Sequence, residues 1–262
     1  MLVESVAMFF FGLLWGSFGN VCIYRVPKGE SVVSPRSRCP SCGAMIAWYD
    51  NIPVLSWLLL RGRCRSCKAS VSWRYPLVEI LTGFAFAAVF ARYGYSWLTL
   101  EYTVFIWGLI VVSFIDLDHM ILPDVFTLPG VVLGLVGAAL NPERGFLSAL
   151  AGMLMGGGFL WLIAYLYLLM RQEEGMGGGD IKLLAWIGAV LGWTSVPFVI
   201  LTASVLGSFV GLALAFRSKA GLKSVIPFGP YLAFAAVVYI FGGDSLALWY
   251  IGLFLPASTS VN

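Results

Sequence analysis

The sequence predicts an all-α polytopic membrane protein of about eight transmembrane helices, with a small cytoplasmic zinc-binding domain between the first two. Of its 262 residues, 60% are hydrophobic and only 11% are charged, whereas about a quarter of the residues of a soluble domain are charged. Apolar runs recur along nearly the whole chain, and a helix needs about 20 such residues to cross a hydrocarbon core about 30 Å thick. One long polar segment interrupts these runs.

The apolar runs, taken in chain order, give the predicted spans, of which the sixth is short. They are 4–24, 76–93, 97–115, 124–141, 147–170, 181–194, 196–216 and 226–242. The run at 245–255 is too short to cross and is expected at the membrane interface. The first run lacks a basic start and a small-residue cleavage site, so we expect it to remain as a transmembrane helix. The predicted domains are a first helix (1–25), a cytoplasmic cysteine domain (26–75) and a membrane-embedded domain (76–262).

Positive charge predicts the orientation of the spans. Alternation of eight spans places 14 of the 16 Lys and Arg residues on one face and only Arg92 and Arg144 on the other. By the positive-inside rule the basic face is cytoplasmic and both termini lie outside. No basic stripe with interleaved aromatic residues occurs, so we expect no nucleic-acid partner. The lipid bilayer is the expected partner of these surfaces, and nothing in the sequence indicates an oligomeric state.

Two CxxC pairs in the polar segment indicate a metal site. Their cysteines are Cys39 and Cys42, followed by Cys64 and Cys67. Two such turns at this separation suit tetrahedral zinc, because each turn presents two thiolates to one ion. Four thiolates leave no open position for a water, so we expect the zinc to be structural. A redox pair and four free thiols are the alternatives. Cys22, inside the first span, is expected to be a small buried residue.

Acidic residues are the second unusual feature of this apolar chain. Four of the thirteen lie in or beside predicted spans on the cytoplasmic face, namely Asp116, Asp118, Asp124 and Asp180, and Glu79 is a fifth candidate. Ionisable groups at membrane depth are costly and usually face a cavity or a partner. Asp116 ends the third span and Asp180 opens the sixth, so the predicted topology brings both to the same face.

Two aspartates that meet and share one proton can hydrolyse a peptide bond without a metal or a covalent intermediate. The ionised one takes a proton from water, and the protonated one donates to the carbonyl oxygen or the leaving amine. The single histidine, His119, cannot form a His-rich metal site, and neither GxSxG nor HExxH occurs. A different class of protein, a transporter whose aspartates carry protons or cations, is the alternative.

The positions of the acidic residues predict different roles. Asp116 and Asp118 would point about 200° apart on a helix, so we assign Asp116 as catalytic and Asp118 as a polar neighbour. Asp124 follows Pro123 at the start of a span, where a carboxylate suits helix capping and the helix dipole. His119 is expected to make interface hydrogen bonds rather than to take part in catalysis.

Glycines precede the second aspartate in the stretch GMGGGDIK (175–182). Gly175, Gly177, Gly178 and Gly179 are expected to permit positive φ angles and to let an extended peptide approach Asp180 closely. The alternative is a flexible cytoplasmic turn in which Asp180 caps the following helix.

Together these stretches resemble the type IV prepilin peptidase family, a group of GxGD membrane aspartic peptidases. The resemblance covers nearly the whole chain, and its GxGD is supplied by residues 177–180. The stretches that carry it are GSFGNVCIYRVP (16–27), CPSC (39–42), WYDNIPVLSW (48–57), CRSC (64–67), RYPLVEILTG (74–83), DLDHMILPD (116–124), GMGGGDIK (175–182) and IPFGPYLA (226–233).

The resemblance implies an enzyme of the bacterial inner membrane whose catalytic pair is Asp116 and Asp180. It implies that this pair removes the short basic leader from prepilins and pseudopilins at the cytoplasmic membrane face. Five further residues are expected to form the loop that receives the substrate around the pair: Gly177, Gly178, Gly179, Asp118 and Lys182.

In this resemblance, the complete cysteine domain implies a second activity. This activity is N-methylation of the new N-terminus with S-adenosylmethionine. No soluble-type nucleotide fingerprint marks a site for the methyl donor, and Glu79 and the segment 43–63 are the candidates. A peptidase without methyltransferase activity and a non-catalytic pilus-assembly scaffold are the remaining alternatives.

Overall fold

The computed structural model describes residues 2–141, 144–173, 177–217, 226–243 and 245–247, and the regular elements among them are helical. The α-helices bounded within these residues are α1 (Leu2–Arg25), α2 (Leu55–Leu59), α3 (Arg74–Tyr93), α4 (Trp97–His119), α5 (Asp124–Leu140), α6 (Phe146–Arg171), α7 (Gly178–Leu191), α8 (Ser195–Arg217) and α9 (Gly229–Val238). A π-helical turn, Tyr239–Gly243, follows α9. Gly175 and most of the predicted interfacial segment 245–255 lie outside the described residues.

Each predicted span overlaps one of these helices, which confirms the all-α class but not the number of crossings. Five helices are long and apolar enough to cross a membrane, and these are α1 with the turn that follows it, α3, α4, α6 and α8. The helices α5 and α7 have 17 and 14 residues, so they rise about 26 Å and about 21 Å. Both are shorter than a hydrocarbon core of about 30 Å, and α9 is shorter still.

The chain forms two compact units, Met1–Ile115 and Asp116–Asn262, and the division falls inside α4. The first unit contains the polar segment with its cysteines, and the second contains both Asp116 and Asp180. The domain boundaries predicted after residues 25 and 75 remain predictions.

Helices α1 and α3 of the first unit run antiparallel and pack through glycines of α1. A Cβ atom on Gly16 would lie 2.5 Å from the Cα atom of Glu79, and one on Gly12 would lie 2.7 Å from the carbonyl oxygen of Thr82. Small residues four positions apart let two helices approach this closely in lipid, where van der Waals packing drives their association. Glycine at these two positions therefore determines how α1 and α3 fit together.

The polar segment between α1 and α3 is built around two similar turns, one for each CxxC pair. In each turn the N–H of the first cysteine donates to the carbonyl oxygen five residues later, at 2.9 Å after Cys39 and 2.8 Å after Cys64. The same position of both turns has a left-handed backbone, at Gly43 (φ 71°) and at Lys68 (φ 60°). Glycine adopts this conformation freely, whereas lysine adopts it at a steric cost. The repeated turn presents the two cysteines of each pair on one side of the backbone.

Helix α7 is the central helix of the second unit, and most of its apolar side chains are buried. Leu183, Leu184 and Ile187 have no exposed surface. Helix α6 runs antiparallel to α7 and lies so close that a Cβ atom on Gly152 would be 2.2 Å from the carbonyl oxygen of Gly188. The first turn of α7 carries Asp180, so this packing fixes the position of one of the two aspartates.

Helix α5 packs on another face of α7 and runs parallel to it. A Cβ atom on Gly130 would lie 2.3 Å from the indole of Trp186, and one on Gly134 would lie 2.9 Å from the side chain of Val190. Both contacts pair a glycine of α5 with a larger side chain of α7. The two helices therefore begin at the same level, which brings their first turns together.

Candidate active site

Asp116 lies near the end of α4 on the buried face of the helix. It is only 5% exposed, whereas Asp118 and His119 in the same turn are exposed. This difference agrees with the expectation that neighbouring aspartates two residues apart point in different directions on a helix. The helix ends at His119, and Met120 follows with a left-handed backbone (φ 54°).

Asp180 lies in the first turn of α7 and is half-buried. The helix is capped by Gly177, so the alternative in which Asp180 itself caps the helix is wrong. A carboxylate in the first turn faces the positive end of the helix dipole. Its Oδ1 atom is buried and accepts no hydrogen bond from the described residues. Buried carboxylate oxygens normally have a partner, so this atom is a candidate to bind a water or a substrate group.

The two aspartates belong to the same compact unit and lie within electrostatic reach of each other, because the charge of Asp116 acts on Asp180. The Oδ2 atom of Asp116 also accepts a hydrogen bond from the backbone N–H of Gly229, at 3.0 Å. Two carboxyl groups that interact in a buried setting do not ionise independently, since their like charges repel. Ionisation of one of these carboxyl groups therefore makes ionisation of the other less favourable.

Leu122 lies between the glycines that flank the two aspartates. A Cβ atom on Gly179 would be 2.8 Å from the Cβ atom of Leu122, and one on Gly229 would be 3.1 Å from its Cδ2 atom. Neither distance leaves room for a side chain without a shift of Leu122. Three segments therefore meet at this leucine, namely the connection from α4 to α5, the start of α7 and the start of α9.

The glycines before Asp180 do not have the backbone conformation that the sequence predicted. None of Gly177, Gly178 and Gly179 has a positive φ angle, so the expectation of a left-handed backbone at these positions was wrong. The physical reason is that the helix already begins at Gly178. A Cβ atom on Gly177 or Gly178 would meet no atom within 4 Å, whereas Gly179 packs against Leu122. Gly177 and Gly178 thus leave the approach to Asp180 open, and Gly179 is required for packing.

Lys182, predicted in the substrate loop, forms an ion pair with Asp124. Its Nζ atom donates to both carboxylate oxygens, at 2.6 Å and 2.9 Å. Asp124 is the first residue of α5 and Pro123 precedes it as the capping residue, so the carboxylate acts on the helix dipole rather than as a cap. The pair connects the first turns of α5 and α7.

The four cysteines of the polar segment converge on one point. The sulfur atoms of Cys39, Cys42, Cys64 and Cys67 all lie within 4.8 Å of one another, and those of Cys39 and Cys67 are 3.8 Å apart. Tetrahedral coordination with metal–sulfur bonds of about 2.3 Å requires sulfur–sulfur distances of about 3.8 Å. The cluster could therefore hold a metal ion. Cys22 is buried in α1 and is not part of the cluster.

Backbone N–H groups lower the pKa of one of these thiols, which favours the thiolate form that binds a metal. N–H groups of Cys42 and Ser41 donate to the sulfur of Cys39 and lower its pKa to about 6. The N–H of Ala44 acts in the same direction on Cys42, but hydrogen bonding with the thiols of Cys67 and Cys39 outweighs it and raises the pKa of Cys42 to about 11. A bound cation would stabilise all the thiolates together, so the neighbouring thiols would no longer keep the pKa of Cys42 high.

Glu79 is a buried carboxylate of α3, 8% exposed. Its Oε2 atom accepts the N–H of Val54 at 2.7 Å, and Ser17 provides a second hydrogen bond. Val54 has a positive φ angle (φ 60°, ψ −50°) outside the left-handed helical region, and a positive φ is rare for a β-branched residue. The contact brings together the two candidates for the methyl-donor site, Glu79 and the segment 43–63.

Three contacts of the candidate site were not predicted from the sequence. They are the hydrogen bond from Gly229 to Asp116, the position of Leu122 and the ion pair of Lys182 with Asp124. The stretch IPFGPYLA (226–233), which includes Gly229, is part of the resemblance described above. A hydrogen bond donated by a backbone N–H, however, cannot be recognised from the residue type. The charge of Lys182 is visible in the sequence, but its partner Asp124 lies 58 residues away and was not predicted.

Two family models match the chain. The model of the bacterial peptidase A24 N-terminal domain matches residues 10–93, and the model of the type IV leader peptidase family matches residues 103–212. The first match contains the four cysteines, and the second contains both aspartates. No solved structure gives a significant match.

Curated relatives match over most of their length. The prepilin leader peptidase/N-methyltransferase of Aeromonas hydrophila is 40% identical over 95% of this chain and 94% of its own length. Proteins of the same name from Stutzerimonas stutzeri and Pseudomonas aeruginosa are 40% and 38% identical, each over 92% of this chain and 91% of its own length. With its apolar helices, the chain is a multi-pass membrane protein and belongs to the type IV leader peptidase family.

Proposed function

We propose that this protein removes the basic leader from type IV prepilins or pseudopilins and then methylates the new N-terminus. The observation that carries the proposal is the approach of two acidic side chains, Asp116 and Asp180, within one compact unit of a membrane protein. The names of the curated relatives contain both activities, which supports the proposal.

The proposed peptidase reaction uses the aspartate pair and one water molecule. One carboxylate takes a proton from the water, whose oxygen attacks the carbonyl carbon of the scissile bond. The protonated partner donates its proton to the carbonyl oxygen, which gives a gem-diol. The first carboxyl group then donates the proton it took from water to the leaving amine, while one gem-diol hydroxyl returns a proton to the partner. The C–N bond breaks and the pair again holds a single proton. Gly177 and Gly178 leave room for an extended peptide beside Asp180, which supports their proposed place in the substrate loop.

The proposed topology has eight crossings, with the cysteine domain and the aspartate pair on the cytoplasmic side of the inner membrane. The distribution of Lys and Arg supports this orientation. A prepilin with an apolar helix in the bilayer and a basic leader in the cytosol would then present its scissile bond at the headgroup level. Asp118 and Lys182 lie near the same end of the helices that carry the pair, which agrees with the proposed loop around it.

Zinc is the metal we propose for the cysteine cluster. The four sulfur donors lie within 4.8 Å of one another, and the 3.8 Å between those of Cys39 and Cys67 fits a tetrahedral zinc ion. The role we propose is structural, because the polar segment has few buried apolar residues of its own and a bound metal stabilises such a fold.

Glu79 and the backbone near Val54 are the residues we propose for binding S-adenosylmethionine. The donor, when bound, supplies a methyl group on a positively charged sulfur. A buried carboxylate fits that charge, and Glu79 is held in place by the N–H of Val54. Ionisable groups at membrane depth are usually functional, which is the second reason for choosing this residue.

The test of the peptidase proposal is cleavage of a prepilin by the purified protein in lipid vesicles. Asp116→Asn and Asp180→Asn should each reduce cleavage by about 10²–10⁴-fold, the usual contribution of general acid–base catalysis. The matched control is Glu30→Gln, which neutralises an exposed carboxylate outside the site and should cleave at the wild-type rate. Wild-type cleavage by either aspartate variant would contradict the assignment of the catalytic pair. Absence of cleavage by the wild-type protein would leave the transporter or scaffold alternatives.

A second measurement in the same vesicles tests the methyltransferase activity. After cleavage in the presence of S-adenosylmethionine, mass spectrometry of the mature N-terminus should find a methylated amine. Complete cleavage with an unmodified amine would reduce the enzyme to a peptidase alone.

A further inference from the structure

We propose that Gly229 is a positioning residue of the aspartate pair, which it serves through its backbone N–H and its lack of a side chain. In this role it holds the carboxyl group of Asp116 in the orientation needed to act on the same water as Asp180. The proposal rests on the peptidase function proposed above.

The first observation is the hydrogen bond itself. The N–H of Gly229 donates to the Oδ2 atom of Asp116 at 3.0 Å in a buried setting, between residues 113 positions apart. Among the described residues it is the only hydrogen bond of this carboxyl group. Rotation of the Asp116 side chain would break it and leave a buried donor without an acceptor, which is unfavourable.

The start of α9 explains why this N–H is available. The first N–H groups of a helix have no acceptor within the helix. In α9 the N–H of Gly229 goes to Asp116, Pro230 has no N–H, and the N–H of Tyr231 returns to the carbonyl oxygen of Phe228 at 3.1 Å. The donors of the first turn are thus accounted for, and one is directed at the aspartate.

The second observation is the space around the glycine. A Cβ atom on Gly229 would lie 2.7 Å from the Oδ2 atom of Asp116 and 3.4 Å from its Cγ atom. Gly229 is helical and has no positive φ angle, so its backbone does not require glycine. The close approach of the carboxyl group is therefore the reason that a side chain does not fit.

Leu122 offers a competing explanation, because the same Cβ atom would lie 3.1 Å from its Cδ2 atom. Under that explanation Gly229 is needed only for packing against a leucine. The two explanations differ in what shortening Leu122 should do. Removal of the leucine side chain relieves the packing contact but leaves the contact with Asp116 unchanged.

The expected effect of a displaced carboxyl group is on the chemical step. A shift of about 1 Å in a catalytic group can reduce the rate by about 10²-fold without loss of substrate binding. Gly229→Ala should therefore lower kcat for prepilin cleavage by about that factor and leave KM within about twofold. The control is Gly158→Ala in α6, where a Cβ atom meets no atom within 4 Å, and both kinetic constants should be unchanged.

The decisive experiment compares Gly229→Ala with the double variant Gly229→Ala/Leu122→Ala, using Leu122→Ala alone as the reference. If Gly229 positions Asp116, adding Gly229→Ala to Leu122→Ala should again lower kcat by about 10²-fold. If the double variant cleaves as fast as Leu122→Ala alone, the role is packing and the proposal is wrong. The thermal unfolding midpoint of each variant in detergent separates loss of kcat from loss of the folded protein.

Failure of this inference is distinguishable from failure of the proposed function. Should Gly229→Ala cleave with the wild-type kcat while Asp116→Asn and Asp180→Asn are inactive, the inference alone is overturned. Should the two asparagine variants cleave normally, the aspartate pair itself is excluded.

Discussion

Lys182 Nζ lies 2.6 Å and 2.9 Å from the two carboxylate oxygens of Asp124, so one ammonium group connects the first turns of α5 and α7. The pair is partly open to solvent, with 39% of the Lys182 side chain and 55% of the Asp124 side chain exposed. Ion pairs of this exposure stabilise a protein only weakly, because water and salt screen them. The pair therefore connects the two helices but contributes little to the stability of the protein.

A double-mutant cycle measures this pair. Asp124→Ala, Lys182→Ala and the double variant should give a coupling energy of about 0.2–1 kcal/mol in unfolding experiments in detergent. The coupling should fall as salt is added. A coupling of several kcal/mol that salt does not change would mean that the pair is shielded from water, contrary to its exposure.

The contact between α6 and α7 predicts a strong dependence on Gly152. Gly152→Val introduces a side chain against the backbone of α7, where even a Cβ atom would lie 2.2 Å from the carbonyl oxygen of Gly188. We expect destabilisation of at least about 1–3 kcal/mol, read as a lower unfolding midpoint. Gly158→Val in the same helix is the matched control, because nothing lies within 4 Å of its Cβ position. Equal midpoints for the two variants would exclude this close contact.

Removal of one cysteine should abolish metal binding. Cys64→Ser leaves three sulfur donors, and a structural zinc site needs four ligands, so elemental analysis after brief dialysis against a chelator should find little zinc. Cys22→Ser removes the buried cysteine of α1 and should retain about one zinc per chain. Full zinc content in Cys64→Ser would place the metal elsewhere.

Metal retention should also depend on pH. The pKa of Cys39 is lowered to about 6 by the N–H groups of Cys42 and Ser41, so this thiol is ionised at neutral pH and protons compete for it only as pH falls through about 6. Cys42, with its pKa raised to about 11, must release a proton on binding at any lower pH. Zinc affinity should therefore rise with pH and fall more steeply below about pH 6. An affinity that does not change between pH 5 and about pH 8 would contradict thiolate coordination.

Two variants of Glu79 distinguish its role as a hydrogen-bond acceptor from the role of its negative charge. Glu79→Ala leaves the N–H of Val54 without its acceptor, a loss of about 1–3 kcal/mol, so amide exchange at Val54 should accelerate by about 5- to 150-fold. Glu79→Gln keeps an acceptor oxygen and should preserve slow exchange while it abolishes methylation and leaves cleavage intact. Normal methylation by Glu79→Gln would exclude a role for the negative charge.

The sequence was sufficient to predict the helices but not the number that cross the membrane. Long apolar runs specify helices wherever they occur, and every predicted run overlaps one. The lengths of α5 and α7 depend on local breaks, such as Pro123 before α5 and Gly192, which has a positive φ angle (82°), after α7. These breaks leave both helices shorter than a bilayer core, so hydropathy alone could not fix the count.

The candidate site was predicted where side-chain chemistry is visible in the sequence and missed where it is not. The carboxylates at 116 and 180 and the four cysteines are recognisable residue types in unusual places. The donor at Gly229 is a backbone group 113 residues away from its acceptor, and Asp124 and Lys182 are 58 residues apart. Such pairings depend on the way the helices pack, which a single sequence does not specify.

The 14 residues of α7 rise about 21 Å, about 9 Å less than the hydrocarbon layer. In the proposed topology Asp180 lies at the headgroups of one leaflet, and the opposite end of α7 would stop below the headgroups of the other. Backbone and hydroxyl groups at that depth have no solvent to bind and must be satisfied within the protein. The Ser195 hydroxyl donates to the Gly192 carbonyl oxygen at 2.7 Å, and the Thr194 and Tyr239 hydroxyls bond at 2.8 Å. At this turn the hydroxyl groups thus supply the hydrogen bonds that water supplies at a turn of a soluble protein.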